Sequence, residues 1–291
     1  MHMAQTKSVI RAVLLSVVVA GVNYAAPAEQ TQPASFHLSG AANFRDIGGY
    51  KTTDGHKIRS HVIFRSGELS GLNASDQHLL ESLRIRYEID IRTDKERAEA
   101  PTRWGKNAPE AIAISVGEAR NADPARSVAS SAAELKNPAD AQRYLQQATI
   151  RIATQGAAEI GEVMRRLARG DEPAVIHCSA GKDRTGVTVA VLMTLLGAPR
   201  DAVEREYVRS DEAAGQQLER MKARERTGTP SGFLSLDPAV LRTLLGAKTE
   251  YLEAAFRAID EQYGSFDAYT RNGLKITPDQ IQALRAKLLE P

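Results

Sequence analysis

The sequence predicts an α/β fold, and three stretches of the chain support that prediction. The apolar run 174–176 leads through a loop of small residues into an apolar helical run beginning at Thr185, which is the order strand, tight loop, helix. Apolar residues alternate along 85–91, as they do in a β-strand. A helix capped by Asn137 is predicted over 138–167. The 291 residues are enough for one such domain with insertions.

Shorter patterns predict two further strands, a short helix and the central helix. Two more strands are expected over 58–65 and 111–116, and Ser75 is expected to cap a short helix. Gly156 can interrupt the long helix that follows Asn137. The helix over 185–196 is apolar on all sides, so we expect it to be buried in the core.

The other segments are distinguished by their composition. Residues 117–136 are rich in Ala, Ser and polar residues and are predicted to form a mobile insertion. Asp201 and Glu204 are candidate caps for the helix that follows the central one. Residues 211–235 are charged and end in Gly and Pro, which favours a helical lid over a functional site. The apolar residues of 252–263 recur on one helical face, as core-packing residues do.

The first residues have the order of a secretory signal peptide. Lys7 and Arg11 form a basic region, a short apolar run follows, and Ala26-Pro27-Ala28 fits a small-x-small cleavage site. An uncleaved anchor is the alternative, but the apolar run is shorter than the roughly 20 residues that a spanning helix needs. We therefore expect an exported protein, periplasmic or secreted. The predicted organisation is a signal peptide at 1–28, a flexible lead-in at 29–36 and one folded domain at 37–291.

Charge and cysteine content narrow the classes of function. The formal net charge is +2, but two of the basic residues lie in the predicted signal segment, and the remaining basic and acidic residues balance. Nothing in that balance indicates a nucleic-acid partner. No stable membrane span is expected after signal cleavage. The single cysteine, Cys178, cannot form an internal disulfide, which in an exported protein is consistent with a catalytic thiol.

The segment HCSAGKDRTG at 177–186 is the strongest candidate for a catalytic site. A loop that wraps into a helix N-terminus points its backbone N–H groups inward and binds anions. Arg184 adds a planar fork for two phosphate oxygens. Cys178 lies at the floor of this loop, where the helix dipole favours its thiolate, a nucleophile for phosphorus. The alternative for Cys178 is an inert buried residue. The expected phosphate-binding residues are Ser179, Ala180, Gly181, Lys182, Asp183 and Arg184.

The pattern HC-x5-R-T at 177–185 resembles the signature of the cysteine-dependent phosphatases. ANFRDIGGY at 42–50 is similar to the N-terminal signature of bacterial tyrosine/serine phosphatases with HC-x-AGKDRTG, and the resemblance covers nearly all of the chain after residue 36. It implies a tyrosine-phosphatase-like fold, with a central, mostly parallel sheet flanked by helices and with helical lid insertions. It also implies that 37–291 acts on phosphotyrosine, often on phosphoserine or phosphothreonine, and in several cases on phosphoinositides.

For the reaction, the resemblance implies attack by Cys178 and a clamp on the phosphoryl oxygens by Arg184. Two aspartates are candidates for the general acid. Asp183 lies within the loop, and Asp90 lies at the carboxyl end of a predicted strand, where α/β proteins bind ligands. A structural pair between Asp90 and Arg92 is an equal alternative. The Trp-Pro-Asp string of many tyrosine phosphatases is absent, and Asp183 is slightly favoured because it lies within reach of a leaving oxygen.

Four further residues are expected to support the site. His177 is expected to orient the loop by hydrogen bonds, and Thr185 resembles the hydroxyl residue that helps the thiolate to leave. Arg45 and Asp46 are expected to form a structural salt bridge that fixes their loop beside the site, with direct phosphate contact as the alternative.

Two roles are possible for Lys182, and the substrate class depends on which of them holds. It can form a salt bridge with a carboxylate such as Asp90, or it can favour substrates with more than one phosphate. A phosphorylated protein is the expected substrate, and a phosphoinositide or inositol phosphate is the alternative. A phosphate-binding module without turnover is the alternative of another class. The sequence has no metal-ligand spacing, and we expect no metal and no cofactor.

Overall fold

The computed structural model of the chain describes residues 36–117, 134–170, 173–226, 228 and 232–291. The predicted signal peptide, nearly all of the lead-in and most of the predicted insertion at 117–136 lie outside these residues. Among the helices of the described parts, none has both the length and the apolar character needed to cross a bilayer.

A five-stranded sheet forms the centre of the described structure, in the order β1-β3-β6-β4-β5. The first pair, β1 with β3, is antiparallel, and the other neighbours are parallel. A separate antiparallel pair joins β2 and β7. The α/β prediction and the mostly parallel sheet are thereby confirmed. The strands are β1 Arg45–Asp46, β2 Lys57–Ile58, β3 Ile63–Ser66, β4 Tyr87–Asp90, β5 Glu110–Ala113, β6 Ala174–His177 and β7 Leu289–Glu290.

Helices surround this sheet. The shortest is α10, and a 3₁₀ helix at Arg209–Ala213 and a π-helix at Tyr269–Gly273 extend α6 and α10. The α-helices are α1 Ala74–Ser82, α2 Asp94–Glu99, α3 Pro138–Gln155, α4 Ala157–Arg169, α5 Asp183–Leu195, α6 Arg200–Val208, α7 Ala214–Arg226, α8 Pro238–Leu245, α9 Thr249–Tyr263, α10 Phe266–Ala268 and α11 Pro278–Leu288.

One predicted strand is wrong as a continuous element. The segment 58–65 is divided between β2 and β3, because the chain turns between them. His61 in this turn has a φ of 62°, a left-handed conformation that no strand residue adopts. The backbone N–H of His61 donates to Asp46 at 2.6 Å, which fixes the turn against β1.

The helix caps agree with the sequence in one case and differ in two. Asn137 caps α3, and Gly156 separates α3 from α4, as predicted. Ser75 does not cap α1; Asn73 does, since its side chain accepts from the N–H of Asp76. The helix after the central one has no side-chain cap, because it begins after Pro199, so the predicted caps Asp201 and Glu204 are wrong.

The central helix α5 is buried on almost every side, as its composition predicts. It packs in one large core cluster with β4, β6 and the inner faces of α3, α4 and α9. The predicted lid segment begins in the 3₁₀ helix and continues through α7, which has no fully buried residue. Arg220 of α7 contacts Gly40 and Glu68, so this helix lies against the segments that precede and follow β3.

Gly161 of α4 is a position where the packing permits no side chain. A Cβ at this position would overlap the carbonyl oxygen of Leu274. We expect Gly161→Ala to lower the free energy of unfolding by about 1–3 kcal/mol, because the overlap forces the backbone apart. Gly215→Ala in α7 is the matched control, since a Cβ there meets open space. Denaturant unfolding of both variants measures the difference, and equal stability of the two would contradict this packing.

Candidate active site

The loop 178–182 joins the end of β6 to the start of α5, at the carboxyl edge of the parallel strands. Cys178 is 2% exposed and lies at the base of this loop. Gly181 has a φ of 67°, and a Cβ there would overlap the backbone of Ser66 and Gly67. Glycine is therefore required both by the turn and by the close approach of the chain after β3. The turn directs the loop into the N-terminus of α5, as an anion site requires.

Two side chains hold the carbonyl of Gly181 from below. Asn43 donates its amide to this oxygen at 2.7 Å, and Arg65 donates Nη2 at 2.6 Å. Both donors are buried. A carbonyl held on its outer side turns the peptide plane, so the neighbouring N–H groups face the opposite, ligand-binding side. The segments that contain ANFRDIGGY and FRSGELSGL are therefore direct supports of the catalytic loop, a role the sequence did not assign to Asn43 or Arg65.

Glu206 connects the two arginines of these segments. Its carboxylate accepts from Nε of Arg45 at 2.7 Å and from Nη1 of Arg65 at 2.5 Å. Burial opposes the charge of Glu206 most strongly, but the charges of both arginines outweigh it, so the pKa of Glu206 is lowered. Burial and the neighbouring Arg65 lower the pKa of Arg45 to about 10, which leaves it charged at neutral pH. The three side chains form one buried ion cluster beneath the loop.

The predicted salt bridge between Arg45 and Asp46 is wrong. Neighbours on a strand point to opposite faces, so Arg45 reaches Glu206 while Asp46 faces the turn after β2. Asp46 accepts from the N–H groups of Gly48 and His61 at 2.8 and 2.6 Å. Arg45 still supports the loop, because it also donates to the carbonyl and side-chain oxygens of Asn43.

Glu96 contacts both ends of the loop region, which the sequence did not predict. Its two carboxylate oxygens accept from Nη1 and Nη2 of Arg184, each at 2.6 Å, and from Oγ of Ser179 at 2.5 Å. Burial opposes the charge of Glu96 most strongly, but the bonds from Arg184 and Ser179 outweigh it, and its pKa is lowered. The available signal was the capping box from Thr93 to Glu96, which places this carboxylate in the first turn of α2.

A second buried network supports the strand ends beside the loop. His177 Nε2 lies 2.8 Å from Glu88 Oε1 and 3.7 Å from Asp90 Oδ2. Glu88 also accepts from Thr102 at 2.6 Å and from Trp104 at 2.7 Å. His177 is fully buried, its Nε2 is bonded to Glu88, and its Nδ1 has no hydrogen-bond partner in the described structure, so its orienting role in the loop stays a prediction.

The structure places Asp90 in a bidentate pair with Arg92. Nε of Arg92 lies 2.9 Å from Oδ1 and Nη2 lies 2.7 Å from Oδ2. Burial opposes the charge of Asp90 most strongly, but Arg92 and His177 outweigh it, so the pKa of Asp90 is lowered. The structure therefore shows the structural pair with Arg92, which was the alternative to a catalytic role for Asp90.

Glu88, Asp90 and His177 also lie close enough together to be considered as metal ligands, a cluster that linear spacing did not reveal. Their ligand atoms all lie within 4.8 Å of one another. However, the carboxylate oxygens already accept hydrogen bonds from Thr102, Trp104 and Arg92. These donors fit a hydrogen-bonded network better than a metal site, because a cation would have to displace them.

Lys182 forms a salt bridge with a neighbouring carboxylate, as one interpretation predicts, but the carboxylate is Asp183 and not the suggested Asp90. Its Nζ donates to the carbonyls of Leu244 and Gly246 at 2.6 and 2.8 Å and lies 3.5 Å from Oδ1 of Asp183. The C-terminal end of α8 presents unpaired carbonyls, which a buried ammonium satisfies. Lys182 therefore connects the catalytic loop to the end of the α8 helix.

Asp183 and Thr185 have polar atoms without hydrogen bonds in the described structure. Oδ1 of Asp183 and Oγ1 of Thr185 are buried and accept or donate none. The buried hydroxyls of Tyr207 and Tyr251 lack partners as well, and burial with nearby charges that include Asp183 raises the pKa of Tyr251 to about 12. Asp183, the first residue of α5, thus has an ion pair with Lys182 at 3.5 Å and no hydrogen bond to its Oδ1.

Comparison with known proteins identifies the family of this site. Residues 36–290 match the family model described as the tyrosine phosphatase family. The chain belongs to this family. A Mycobacterium tuberculosis relative named triple specificity protein phosphatase PtpB is 29% identical over 87% of this chain and 98% of its own length. A Cupriavidus necator protein named as a tyrosine-protein phosphatase is 28% identical over 83% of this chain and 84% of its own length.

A solved structure has a weaker similarity. The crystal structure of P. aeruginosa TpbA has a TM-score of 0.28 and 19% identity, over 53% of this chain and 71% of that chain. The family assignment rests on the match over 36–290, and the site of this tyrosine phosphatase is built from the residues described above.

The bond from Asn43 to the Gly181 carbonyl can be removed without changing the backbone. Asn43 has a φ of 63°, so Asn43→Gly keeps the conformation and deletes only the side chain. We expect turnover to fall by roughly tenfold, because a misplacement of about 1 Å in a catalytic group costs up to a hundredfold. The control is Lys275→Gly, an exposed residue with a φ of 55° that lies far from the loop in sequence. Equal turnover of the two variants would rule out a role for this hydrogen bond.

Proposed function

We propose that this chain is a protein tyrosine phosphatase that hydrolyses phosphomonoesters through a cysteinyl-phosphate intermediate. The observation that supports this most directly is the single loop with a buried thiol at its base and an arginine fork at the start of the following helix. This arrangement combines a nucleophile, an anion-binding nest and a fixed positive charge within seven residues, 178–184.

In the proposed first step, the Cys178 thiolate attacks phosphorus in line. A sulfur–phosphorus bond forms, the ester phosphorus–oxygen bond breaks, and the leaving oxygen takes a proton from the general acid. Arg184 and the loop N–H groups stabilise the charge on the equatorial oxygens. In the second step water attacks phosphorus, the carboxylate left by the general acid takes a proton from that water, and the sulfur–phosphorus bond breaks to release inorganic phosphate and restore the thiolate. The hydroxyl of Thr185 stays our candidate for assisting that departure.

For the general acid we propose Asp183 rather than Asp90. Both oxygens of Asp90 are bonded to Arg92, and its lowered pKa leaves it without a proton to donate. Asp183 follows the loop directly as the first residue of α5, and its side chain is 26% exposed. A general acid must be protonated when the substrate arrives. Oδ1 of Asp183 lies 3.5 Å from Nζ of Lys182 and accepts no hydrogen bond in the described structure.

As substrates we propose phosphotyrosine proteins, with phosphoserine and phosphothreonine also accepted. The name of the Mycobacterium tuberculosis relative supports more than one substrate class. A phosphoinositide is the runner-up. In the ligand-free chain Lys182 would have to leave the carbonyls of Leu244 and Gly246 to bind a second phosphate, and that cost favours substrates with one phosphate.

We also propose that the protein is exported and that the mature chain begins near Glu29. The support is the basic, apolar, small-x-small order of residues 1–28. Mass spectrometry of the protein recovered outside the cytoplasm measures the cleavage site, and a full-length cytosolic product would contradict export.

The nucleophile and the clamp are tested by Cys178→Ser and Arg184→Lys. We expect Cys178→Ser to abolish turnover of phosphotyrosine peptides and to retain binding, because serine fills the site without a thiolate. Arg184→Lys should be severely impaired, since a point charge cannot replace the planar fork. Initial rates on phosphotyrosine, phosphoserine and phosphoinositide panels measure both the mechanism and the substrate class. Full turnover by Cys178→Ser, or a loss with EDTA that added metal restores, would refute the cysteine mechanism.

The general acid is tested by the dependence on the leaving group. Asp183→Asn should slow aryl phosphates with poor leaving groups far more than those with good ones, because only the former need protonation. Asp90→Asn is the comparison, and its losses should not depend on the leaving group. A Brønsted plot of kcat/KM for a series of aryl phosphates measures both variants. If the dependence appears in Asp90→Asn instead, the two roles are reversed.

A further inference from the structure

Two tyrosine hydroxyls are buried near the proposed general acid and have no hydrogen-bond partner in the described structure. Tyr207 is 0% exposed and Tyr251 is 1% exposed, and neither hydroxyl donates or accepts a hydrogen bond. Oδ1 of Asp183 is likewise buried and unbonded. A buried polar atom without a partner is unfavourable, so most such atoms in folded proteins are paired. Two donors and one acceptor that lack partners in the same region can satisfy one another.

The packing of α6 on α5 places Tyr207 on the side of α5 that carries Asp183. The Tyr207 ring covers Gly186, where a Cβ would lie 2.7 Å from the ring. Gly186 follows Asp183 by three residues, so the two share one face of the helix. Burial raises the pKa of Tyr207 well above its usual value, and the charge of Asp183 raises it further. The Tyr207 hydroxyl therefore lies within the electrostatic field of the Asp183 carboxylate and stays protonated.

The chain segment before α9 brings Tyr251 to the same region. Nζ of Lys182 donates to the carbonyl of Gly246 at 2.8 Å, so this segment passes beside the loop. Tyr251 follows within α9, and its carbonyl accepts from Oγ1 of Thr149 at 2.7 Å, which fixes its backbone. Burial, and after it nearby carboxylates that include Asp183, raise the pKa of Tyr251 to about 12. Its hydroxyl is therefore also a hydrogen-bond donor under ordinary assay conditions.

The two oxygens of Asp183 have different surroundings. Oδ1 is buried and lies 3.5 Å from Nζ of Lys182, whereas Oδ2 is not among the buried unbonded atoms, and the side chain as a whole is 26% exposed. The groups near Oδ1 are an ammonium and two hydroxyls, and each of them can donate. A protonated carboxyl carries its hydrogen on one oxygen, and an oxygen that receives donors does so with its lone pairs. Donors at Oδ1 therefore leave the proton on Oδ2, the outer oxygen.

We propose that Tyr207 and Tyr251 are positioning residues, whose hydroxyls donate to Oδ1 of Asp183, directly or through one bound water, and so keep the transferable proton on Oδ2. This inference rests on the proposed function and adds two determinants outside the loop. In the first step Oδ2 gives its proton to the leaving oxygen, and in the second step it takes one from the attacking water, while both tyrosines keep theirs. The opposing possibility is that donors at Oδ1 only stabilise the carboxylate, in which case they hinder protonation of the leaving group.

The test replaces each tyrosine by phenylalanine, which removes the hydroxyl and keeps the ring. We expect Tyr207→Phe and Tyr251→Phe each to lower kcat/KM for phenyl phosphate, which has a poor leaving group, by about five- to tenfold, a part of the roughly 10²–10⁴ that general acid catalysis contributes. For 2,4-dinitrophenyl phosphate, whose leaving group needs no proton, the change should stay within about twofold.

Tyr269→Phe is the matched control for the loss of a buried hydroxyl. The hydroxyl of Tyr269 donates to the carbonyl of Ala153 at 2.8 Å and not to a residue of the catalytic loop. We expect this variant to have a lower melting temperature, because a made hydrogen bond is lost. The ratio of its rates on the two aryl phosphates should equal that of the wild type.

A double-variant cycle tests whether the tyrosines act through Asp183. In an Asp183→Asn background, neither phenylalanine variant should lower the phenyl phosphate rate further, because the proton that they position is already absent. Thermal unfolding shows whether each variant keeps its fold, and if one variant unfolds the other decides. The proposal is overturned if both substrates slow equally, if neither slows, if phenyl phosphate reacts faster, or if the losses persist in the Asp183→Asn background. The loss of turnover in Cys178→Ser and the leaving-group dependence of Asp183→Asn test the proposed function independently of these outcomes.

Discussion

The ion cluster of Glu206 with Arg45 and Arg65 is the interaction on which the catalytic loop depends most. The side chains are almost wholly removed from water, so both arginines need the charge of Glu206 and Glu206 needs theirs. Loss of one partner from such a buried pair costs about 3–5 kcal/mol, because the remaining charge is left unsolvated. The cluster has two cations for one anion, and its spare hydrogen bonds go to the Gly181 carbonyl and to Asn43. Stability of the core and geometry of the loop are therefore determined by the same atoms.

The ion cluster affects the electrostatics of the loop as well as its geometry. Arg209 also acts on this cluster, and it adds a further positive charge near Glu206 and Arg45. The excess positive charge lies beneath a loop whose N–H groups and helix dipole already favour anions. A phosphate dianion above the loop thus meets fixed charge that needs no reorganisation when the ligand arrives, which is the general basis of electrostatic preorganisation.

Much of this arrangement could be predicted from the sequence, because the loop chemistry is local. The order of strand, loop and helix around Cys178 needs only neighbouring residues, and so do the Asn137 cap and the buried central helix. The partners of charged side chains could not be predicted in the same way. Arg45 binds Glu206, 161 residues away, rather than the adjacent Asp46. Lys182 binds the end of α8 and the adjacent Asp183 rather than Asp90, and the contact with α8 leaves no pattern in a single chain.

Glu96 shows an intermediate case. The capping box from Thr93 to Glu96 is typical of a helix start, but it does not indicate what the carboxylate of Glu96 binds across the fold. Likewise, the strand 58–65 was divided by a left-handed His61, which is conformational information that residue type alone does not provide. The sequence thus predicts local geometry well, whereas pairings across the fold depend on the topology that brings β1, β4 and α6 to the same edge.

The separation of Arg45 and Glu206 along the chain also affects when the active site forms during synthesis and folding. Contacts separated by 161 residues form late, because a long loop must close before they contribute any stability. The catalytic thiol lies between these two residues in the sequence, so it is made before the part of the chain that supplies Glu206. A chain released before residue 206 has every residue of the phosphate loop and lacks the anion that holds it in shape. In this fold, hydrolytic competence is expected to be among the last properties that the growing chain acquires.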